Sequence, residues 1–267
     1  MSGAAIPRPA RSPLSRYRQS LWLLTVRDLR VRYSTSALGY LWSILDPLVM
    51  AGIYWFVFTQ VFGGRAVGED PYIVFLLAGL LPWMWFNGAV SDATRAYLRE
   101  AKLIRSTKIP RTIWVARLVL SKGIEFVAAL PVLALFAIAT GATLHWEAVF
   151  FVLGIVLQAV LTMGVGLIVA PLVVFFRDLE RATKLALRFL FYASPIIYGL
   201  PDLTKLGLDF WAAFNPLSGI FALYRAAFFP AELDWFAVAV SAGMSTIILV
   251  IGILVFHRTE RAVLKEI

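Results

Sequence analysis

The chain has 267 residues, of which 60% are hydrophobic and only 15% charged, and its 25 lysine and arginine residues exceed its 16 acidic residues by a net charge of +9. Soluble domains contain roughly 45–50% apolar and about 25% charged residues, so this chain has more apolar surface than a soluble core can bury. The absence of cysteine excludes disulfides, thiolate catalysis and cysteine-ligated metal sites.

The amino-terminal segment divides into an arm and a helix. Residues 1–20 are rich in arginine, proline and serine and lack an apolar core, which predicts a disordered arm, not a cleaved signal peptide. Residues Leu21–Tyr33 then carry bulky side chains at helical spacing, namely Trp22, Val26, Leu29 and Tyr33. This pattern predicts an amphipathic helix in the membrane interface. The alternative is an extended start of the first span, although Ser34–Ser36 and Gly39 interrupt the pattern.

Six segments are expected to cross a bilayer in an all-α polytopic membrane protein. Five uncharged runs approach the roughly 20 residues that a spanning helix needs, and a sixth becomes long enough if its basic side chains reach back to the interface. Asp46-Pro47 predicts a kink near the start of the first span. The predicted spans cover residues 40–63, 72–94, 113–140, 147–176, 182–200 and 235–256.

Two connections contain short helices of their own. Between the second and third spans, Tyr97, Ala101 and Ile104 recur at helical spacing, which predicts a helix over residues 96–109 whose apolar side suits docking into a groove of a soluble partner. A solvated loop is the alternative there. The connection before the last span is too apolar for a free loop, which predicts two re-entrant helices within residues 203–231, with a folded outer cap as the alternative.

The distribution of positive charge predicts the orientation. With six spans, twenty lysine and arginine residues lie on the side of the two termini and the second and fourth loops, whereas three lie on the opposite side. Cytoplasmic loops carry such an excess, so both termini are expected inside, including a tail at residues 257–267. Topology therefore explains the net charge, and a nucleic-acid partner is not expected.

The sequence offers few reactive groups. His145 and His257 lie far apart, at opposite faces, and no glycine-rich loop that would cradle phosphates is present. No catalytic residue, metal site or bound cofactor is therefore expected. Lys122 and Glu125 lie three residues apart on the third span, where an unpaired charge is costly, so we expect them to pair, with Glu125 facing the protein interior.

Aromatic residues make up 14% of the chain, and several lie inside predicted spans. Tyr54, Trp55 and Phe58 belong to the first span and Tyr192 to the fifth. Aromatic faces contact sugar rings well with little directional hydrogen bonding, which favours a sugar-binding surface. Packing against lipid or within the core explains the same residues equally well.

Several segments in a fixed order resemble one family of membrane proteins. They are residues 27–33 (RDLRVRY), 36–42 (SALGYLW) with Pro47, Leu103-Ile104 with Ile109-Pro110-Arg111, residues 194–198 (SPIIY), and Asn215-Pro216 with Tyr224-Arg225. Nearly the whole chain after residue 20 is similar to the ABC-2 type permeases that export polysaccharides, lipopolysaccharide O-antigens and teichoic acids.

The resemblance implies a bacterial inner-membrane permease that forms a homodimer with two copies of a cytoplasmic ATPase subunit, which would bind the ATP and Mg. The substrate would be a polysaccharide on a polyprenyl diphosphate lipid. The helix over 96–109 would be a coupling helix, and the implied ATPase-coupling residues are Arg99, Lys102, Leu103, Ile104, Arg105 and Thr107. The re-entrant helices would form an outer gate with Asn215, Pro216, Tyr224 and Arg225.

Two residue sets would then meet the substrate. Tyr54, Trp55, Phe58 and Tyr192 would line the channel, and Arg27, Arg30 and Arg32 on the interface helix would attract the diphosphate, unless those arginines serve topology alone. Three alternatives remain open: an ABC-2 permease for a small drug or lipid, an ATP-independent flippase for lipid-linked sugars, and a membrane-embedded transferase or phosphatase.

Overall fold

The computed structural model describes residues 12–34, 39–61, 68–107, 109–204 and 207–266. None of these residues lies in a β-strand, and the regular elements are helices. In chain order they are α1 (Pro13–Ser34), α2 (Trp42–Phe56), α3 (Tyr72–Ala93), α4 (Ala96–Arg99), α5 (Ala101–Ser106), α6 (Ile113–Thr140), α7 (Phe150–Phe175), α8 (Leu179–Ala193), α9 (Leu200–Thr204), α10 (Asp209–Ala213), α11 (Ser218–Arg225) and α12 (Trp235–Glu266). The predicted all-α class is confirmed.

Four helices are long and apolar enough to cross a membrane, namely α3, α6, α7 with the 3-10 turn that precedes it, and α12. The chain is therefore an integral membrane protein. The helix α2 contains Pro47 and continues as a π-helical turn, Val57–Val61, while α8 has 15 residues and a length of about 22 Å at 1.5 Å per residue. Six spans therefore stay a prediction, which depends on these two shorter helices.

Three predicted boundaries are wrong. The first helix begins at Pro13, so only residues 1–11 of the expected disordered arm lie outside the described residues. The expected helix over 96–109 is divided at Glu100 into α4 and α5 and ends at Ser106. The last helix continues through most of the expected tail to Glu266, because its carboxyl-terminal turns bury Val263 against the core.

The helix α3 forms the centre of the molecule, since most of its residues are buried, and it contacts α2, α6, α7, α8 and α11. The helices α7 and α12 cross at close range through glycine. A Cβ on Gly164 would lie 2.7 Å from the amide nitrogen of Leu249, and one on Gly252 would lie 2.5 Å from the carbonyl oxygen of Gly164. Gly164 and Gly252 therefore permit close packing of α7 and α12.

The connection before α12 contains three α-helices and a 3-10 turn, Pro230–Glu232, instead of the two expected helices. Pro216 lies between α10 and α11 and Pro230 begins the turn, whereas Gly207 lies between α9 and α10. All eight residues of α11 are buried, and Gly219 lies directly against the backbone of Ala237 in α12. The helix α11 is therefore a packed part of the core, whereas Phe210 and Trp211 of α10 are exposed. The predicted depth of this connection in the membrane stays a prediction.

Candidate functional site

A groove of about 570 Å³ lies between α2, α3 and α8. We call it the α8 groove. Its residues come from successive turns of each helix: Met50 and Tyr54 from α2, and Trp83, Asn87 and Ser91 from α3. Residues four apart on a helix share one face, so each wall presents a continuous stripe to the groove.

One end of the α8 groove is aromatic. Tyr54 and Phe191 have ring centroids 5.8 Å apart, Trp83 and Phe191 are 5.5 Å apart, and Phe191 and Tyr192 are 5.0 Å apart. These separations are typical of favourable aromatic pairs. The surface that results has the flat apolar faces that suit sugar rings.

Two of the four predicted channel residues, Tyr54 and Tyr192, line this groove. Trp55 is outside the lining and 41% exposed, and the side chain of Phe58 lies outside the described residues. Sequence reasoning missed Trp83 as a lining residue. Trp83 and Asn87 are four residues apart on the second predicted span, which indicates that they share one face of the helix. The sequence did not show that α8 lies opposite that face.

The other end of the α8 groove is polar and positively charged. It contains Asn87 and Ser91 from α3 together with Lys184 and Arg188 from α8, and none of the described residues that line the groove carries a carboxylate. Lys184, Arg188 and Tyr192 are spaced by four residues, so two cations and an aromatic ring share one face of α8. The sequence analysis used both cations only to predict topology.

The amino-terminal turn of α8 is tied to the α3–α4 junction by ion pairs. Arg95 donates through Nε to Glu180 Oε1 at 2.8 Å, and Lys184 Nζ donates to the same oxygen at 2.7 Å. These hydrogen bonds lower the pKa of Glu180 to about 2. The carboxylate is therefore ionised at neutral pH and holds both cations.

A second set of ion pairs lies at the other end of α4. Glu100, the residue after α4, pairs with Arg27 of α1 and with Arg117 of α6, the latter at 3.3 Å. Arg117 is buried and also donates to Asp28 at 2.6 Å. Burial raises the pKa of Asp28, and the neighbouring Arg117 and Arg27 oppose that shift. The start of α4 is thus joined by ion pairs to α8, and its end is joined to α1 and α6.

The predicted pair on the third span is confirmed. Lys122 Nζ donates to Glu125 Oε2 at 2.6 Å, and Arg32 of α1 donates to Glu125 Oε1 at 3.1 Å and to Asp92 at 2.6 Å. Arg32, Lys122 and Glu125 border a cavity of about 350 Å³ between α2, α3 and α6. Arg30 is exposed and forms no ion pair with the residues that the structure describes. Of the three arginines predicted to attract the diphosphate, Arg27 and Arg32 thus form ion pairs with carboxylates of this chain.

The predicted apolar docking face of the coupling segment is wrong. Tyr97 and Ile104 are 2% exposed, because they pack against α6 and the end of α12. Leu103 packs partly against the same cluster, and Thr107 bonds to the Leu103 carbonyl oxygen at 2.8 Å. The residues of the predicted coupling set that face outward are Arg99, Lys102 and Arg105. The exposed face is therefore basic.

Arg225 joins three parts of the opposite end of the molecule. It is 1% exposed and donates to the carbonyl oxygens of Ile196 at 2.6 Å and Tyr198 at 2.9 Å, while its Nη1 lies 3.5 Å from Glu232. The guanidinium lies 3.6 Å from the ring centroid of Phe75. A buried guanidinium with this many partners fixes α3, the segment after α8 and the 3-10 turn to one another.

The remaining predicted gate residues hold α11. Asn215 donates to Ser194 Oγ at 2.8 Å and accepts from the Leu217 amide at 3.0 Å, so it links the start of α11 to the end of α8, and Pro216 follows it. Tyr224 is buried against Phe126 and Phe151. These contacts are structural, and the gate role of the four residues stays a prediction.

The described residues contain no group of three or more histidine, cysteine, aspartate or glutamate side chains able to hold a metal ion. The features that this part of the chain presents include the groove, the exposed cations and several networks of ion pairs. These features suit the binding of a ligand and the movement of helices relative to one another.

The amino-acid sequence matches the ABC-2 type transporter family over residues 19–229. It is 33% identical over 246 residues to an O-antigen export system permease protein, RfbA, of Klebsiella pneumoniae, which covers 90% of this chain and 92% of that protein. It is 29% identical over 221 residues to RfbA of Myxococcus xanthus, with 82% and 84% covered. It is 28% identical over 267 residues to the polysialic acid transport protein KpsM of Escherichia coli, with 96% and 100% covered. This chain therefore belongs to the ABC-2 type transporter family of membrane proteins.

Proposed function

We propose that this chain is the permease subunit of an ATP-driven exporter that moves a polysaccharide, linked to polyprenyl diphosphate, across the bacterial cytoplasmic membrane. The α8 groove carries the proposal, because it combines an aromatic end for sugar rings with a cationic end for an anion. The relatives named for O-antigen export and polysialic acid transport support the same substrate class.

The partners follow from the two surfaces that the chain leaves exposed. The α8 groove is open on one side, and a second copy of the chain would close it into a channel. The exposed Arg99, Lys102 and Arg105 would meet a cytoplasmic ATPase subunit, two copies of which would supply the ATP and Mg sites. Both termini would then face the cytoplasm.

The ion pairs provide a path for mechanical coupling. Movement of the ATPase against α4 and α5 would act through Arg95 and Glu180 on α8, which carries Tyr192 in the groove wall. It would act through Glu100 on α1 and α6 as well. The segment around Arg225 would form a rigid frame for the outer gate, because the buried guanidinium bonds to the carbonyl oxygens of Ile196 and Tyr198.

The decisive experiment is transport by the reconstituted complex. The tagged chain is co-expressed with candidate ABC ATPase subunits, and the captured complex is placed in vesicles that contain a polyprenyl-diphosphate-linked polysaccharide. We expect ATP-dependent movement of the glycan across the bilayer. Movement that persists with an ATPase unable to hydrolyse ATP would support the flippase alternative, and ATP hydrolysis stimulated only by small lipophilic compounds would support the drug or lipid permease.

A pair of variants on α8 links that activity to the groove. Tyr192→Ala should lower glycan transport by roughly twofold to tenfold, since one aromatic contact is worth about 0.5–1.5 kcal/mol. Phe189→Ala is the matched control, because Phe189 lies on the same helix, is 73% exposed and is outside the groove lining. Equal transport by both variants would remove the aromatic groove from the mechanism.

A further inference from the structure

One cation at the cationic end of the α8 groove, Arg188, takes no part in the ion pairs that join α8 to α4. Glu180 is shared by Lys184 and Arg95, so the charge of Lys184 is partly neutralised. Arg188 lies one helical turn further into the groove and forms no ion pair with the residues that the structure describes. An arginine without a carboxylate partner among the described residues, in a groove whose described lining is free of acidic side chains, is suited to an anionic ligand.

We infer that Arg188, assisted by Lys184 and by the neutral Asn87, binds the diphosphate of a lipid-linked substrate at the predicted cytoplasmic end of the α8 groove. The inference rests on the proposed function and names a binding subsite within it. It replaces Arg27 and Arg32 of α1, which are held by Glu100, Asp92 and Glu125, and leaves the exposed Arg30 as the rival that the test must separate.

The chemistry of the subsite fits a diphosphate. The planar guanidinium of Arg188 presents paired N–H donors that match two phosphate oxygens, and the Lys184 ammonium adds a second positive charge one turn away. The amide nitrogen of Asn87 adds neutral donors from α3. The groove therefore offers charge and several donors together, as an anion with many acceptor oxygens requires.

The position of the subsite also fits a glycan that follows the diphosphate. Arg188 and Tyr192 are four residues apart on α8, a rise of about 6 Å along one face of the helix. Tyr54 and Trp83 border the same end of the groove as Tyr192. A diphosphate held by Arg188 would therefore place the first sugars against the aromatic surface.

Arg95 and Glu180 give the subsite a connection to the coupling segment. Glu180 bonds both to Lys184 and to Arg95, which directly precedes α4. Displacement of α4 would change the position or the pairing of Lys184, and with it the charge that faces the groove. The substrate anion and the ATPase contact thus act on the same short chain of ion pairs.

Binding of unglycosylated polyprenyl diphosphate tests the subsite without requiring polysaccharide transport. The full chain, in complex with its ATPase partner, is placed in nanodiscs of neutral lipid, and binding of polyprenyl diphosphate, polyprenyl monophosphate and phosphatidylglycerol is measured. Arg188→Gln should weaken diphosphate binding at least about tenfold, since hydrogen bonds to a charged group are lost. Arg188→Lys should recover only part of the affinity, because the ammonium keeps the charge but not the paired donors of the guanidinium.

Arg30→Gln is the control, because Arg30 is the exposed arginine of α1 that the alternative assignment would use. It should bind polyprenyl diphosphate as the parent does. The inference is overturned if Arg188→Gln binds normally, if Arg30→Gln is the variant that loses affinity, or if the parent binds phosphatidylglycerol as tightly as polyprenyl diphosphate. Diphosphate binding that depends on Arg188 in a complex that moves no polysaccharide would leave the subsite in place and defeat the proposed export function.

Discussion

The two ends of this molecule are held by charged side chains in opposite ways. Around Arg225, one guanidinium is fully buried and satisfied by backbone carbonyl oxygens and Glu232, and glycines make room for it: a Cβ on Gly79 would lie 2.9 Å from its Nη2. At the predicted cytoplasmic end, Arg27, Arg95 and Glu180 form their pairs while 38%, 44% and 20% exposed at the side chain.

This difference separates a fixed part from a movable one. A buried charge that loses its partners suffers the full cost of desolvation, so the arrangement at Arg225 has no cheap alternative. Exposed pairs are worth roughly 0–1 kcal/mol, because water replaces a lost partner, so they break and re-form at little cost. The Arg95–Glu180 pair at the start of α4 is of this kind, whereas Glu100 at its other end pairs both with Arg27 and with the buried Arg117. The helix α4 is therefore loosely held at its start and firmly held at its end, so its start is the part suited to transmit movement.

The largest effect should come from removing the buried charge. Arg225→Leu leaves Glu232 and two carbonyl oxygens buried without their donor and should destabilise the fold by about 3–5 kcal/mol. The measurement is the midpoint of thermal unfolding in detergent, followed by size-exclusion chromatography. Arg261→Leu, at an exposed position of α12, is the matched control. Similar midpoints for the two variants would show that the Arg225 end is no more constrained than the surface.

Glu125 should have an intermediate effect, because it is only 14% exposed at the side chain and accepts from both Lys122 and Arg32. Glu125→Gln should destabilise the chain by roughly 1.5–3 kcal/mol, the value of hydrogen bonds to a charged group. The double variant Glu125→Gln with Lys122→Met should recover part of that loss, since it removes one of the two cations left unpaired. Unchanged folding and unchanged transport in Glu125→Gln would contradict the prediction.

The exposed bridge should affect coupling more than stability. Arg95→Glu should change stability by no more than about 1 kcal/mol, yet lower the transport obtained per ATP hydrolysed, because α8 is no longer tied to α4. Combining Arg95→Glu with Glu180→Arg should restore much of the coupling. The measurement is the ratio of transport to hydrolysis in the reconstituted complex, and a double variant no better than either single variant would argue against a path through this pair.

The smallest effect should be the pH dependence of the same bridge. The pKa of Glu180 is lowered to about 2 from its ordinary value of 4.5, so the folded state binds the proton less readily than the unfolded state. Its contribution to stability is present above about pH 4.5 and is lost as the pH falls toward 2. Thermal unfolding of the parent and of Glu180→Gln should differ slightly at neutral pH and converge below pH 3. A difference that grows as the pH falls would contradict this assignment.

The sequence by itself predicted the helical class and the features that depend on local pattern. The apolar composition of the connection before α12 predicted helices there, and the three-residue spacing of Lys122 and Glu125 predicted their ion pair. Each of these follows from neighbours in the chain, since backbone geometry and the cost of an unpaired charge in a membrane act over one or two turns of helix.

Only the tertiary structure decided which face of each helix meets another. The apolar side of the coupling segment was expected to face a partner, but α6 and the end of α12 cover it. Arg188 looked like one more topological charge until α8 was found opposite α3, with Asn87 and Trp83 across the groove. Contacts between residues about a hundred positions apart depend on how the helices pack, and the period of one helix shows only that a face is apolar or charged, not what covers it.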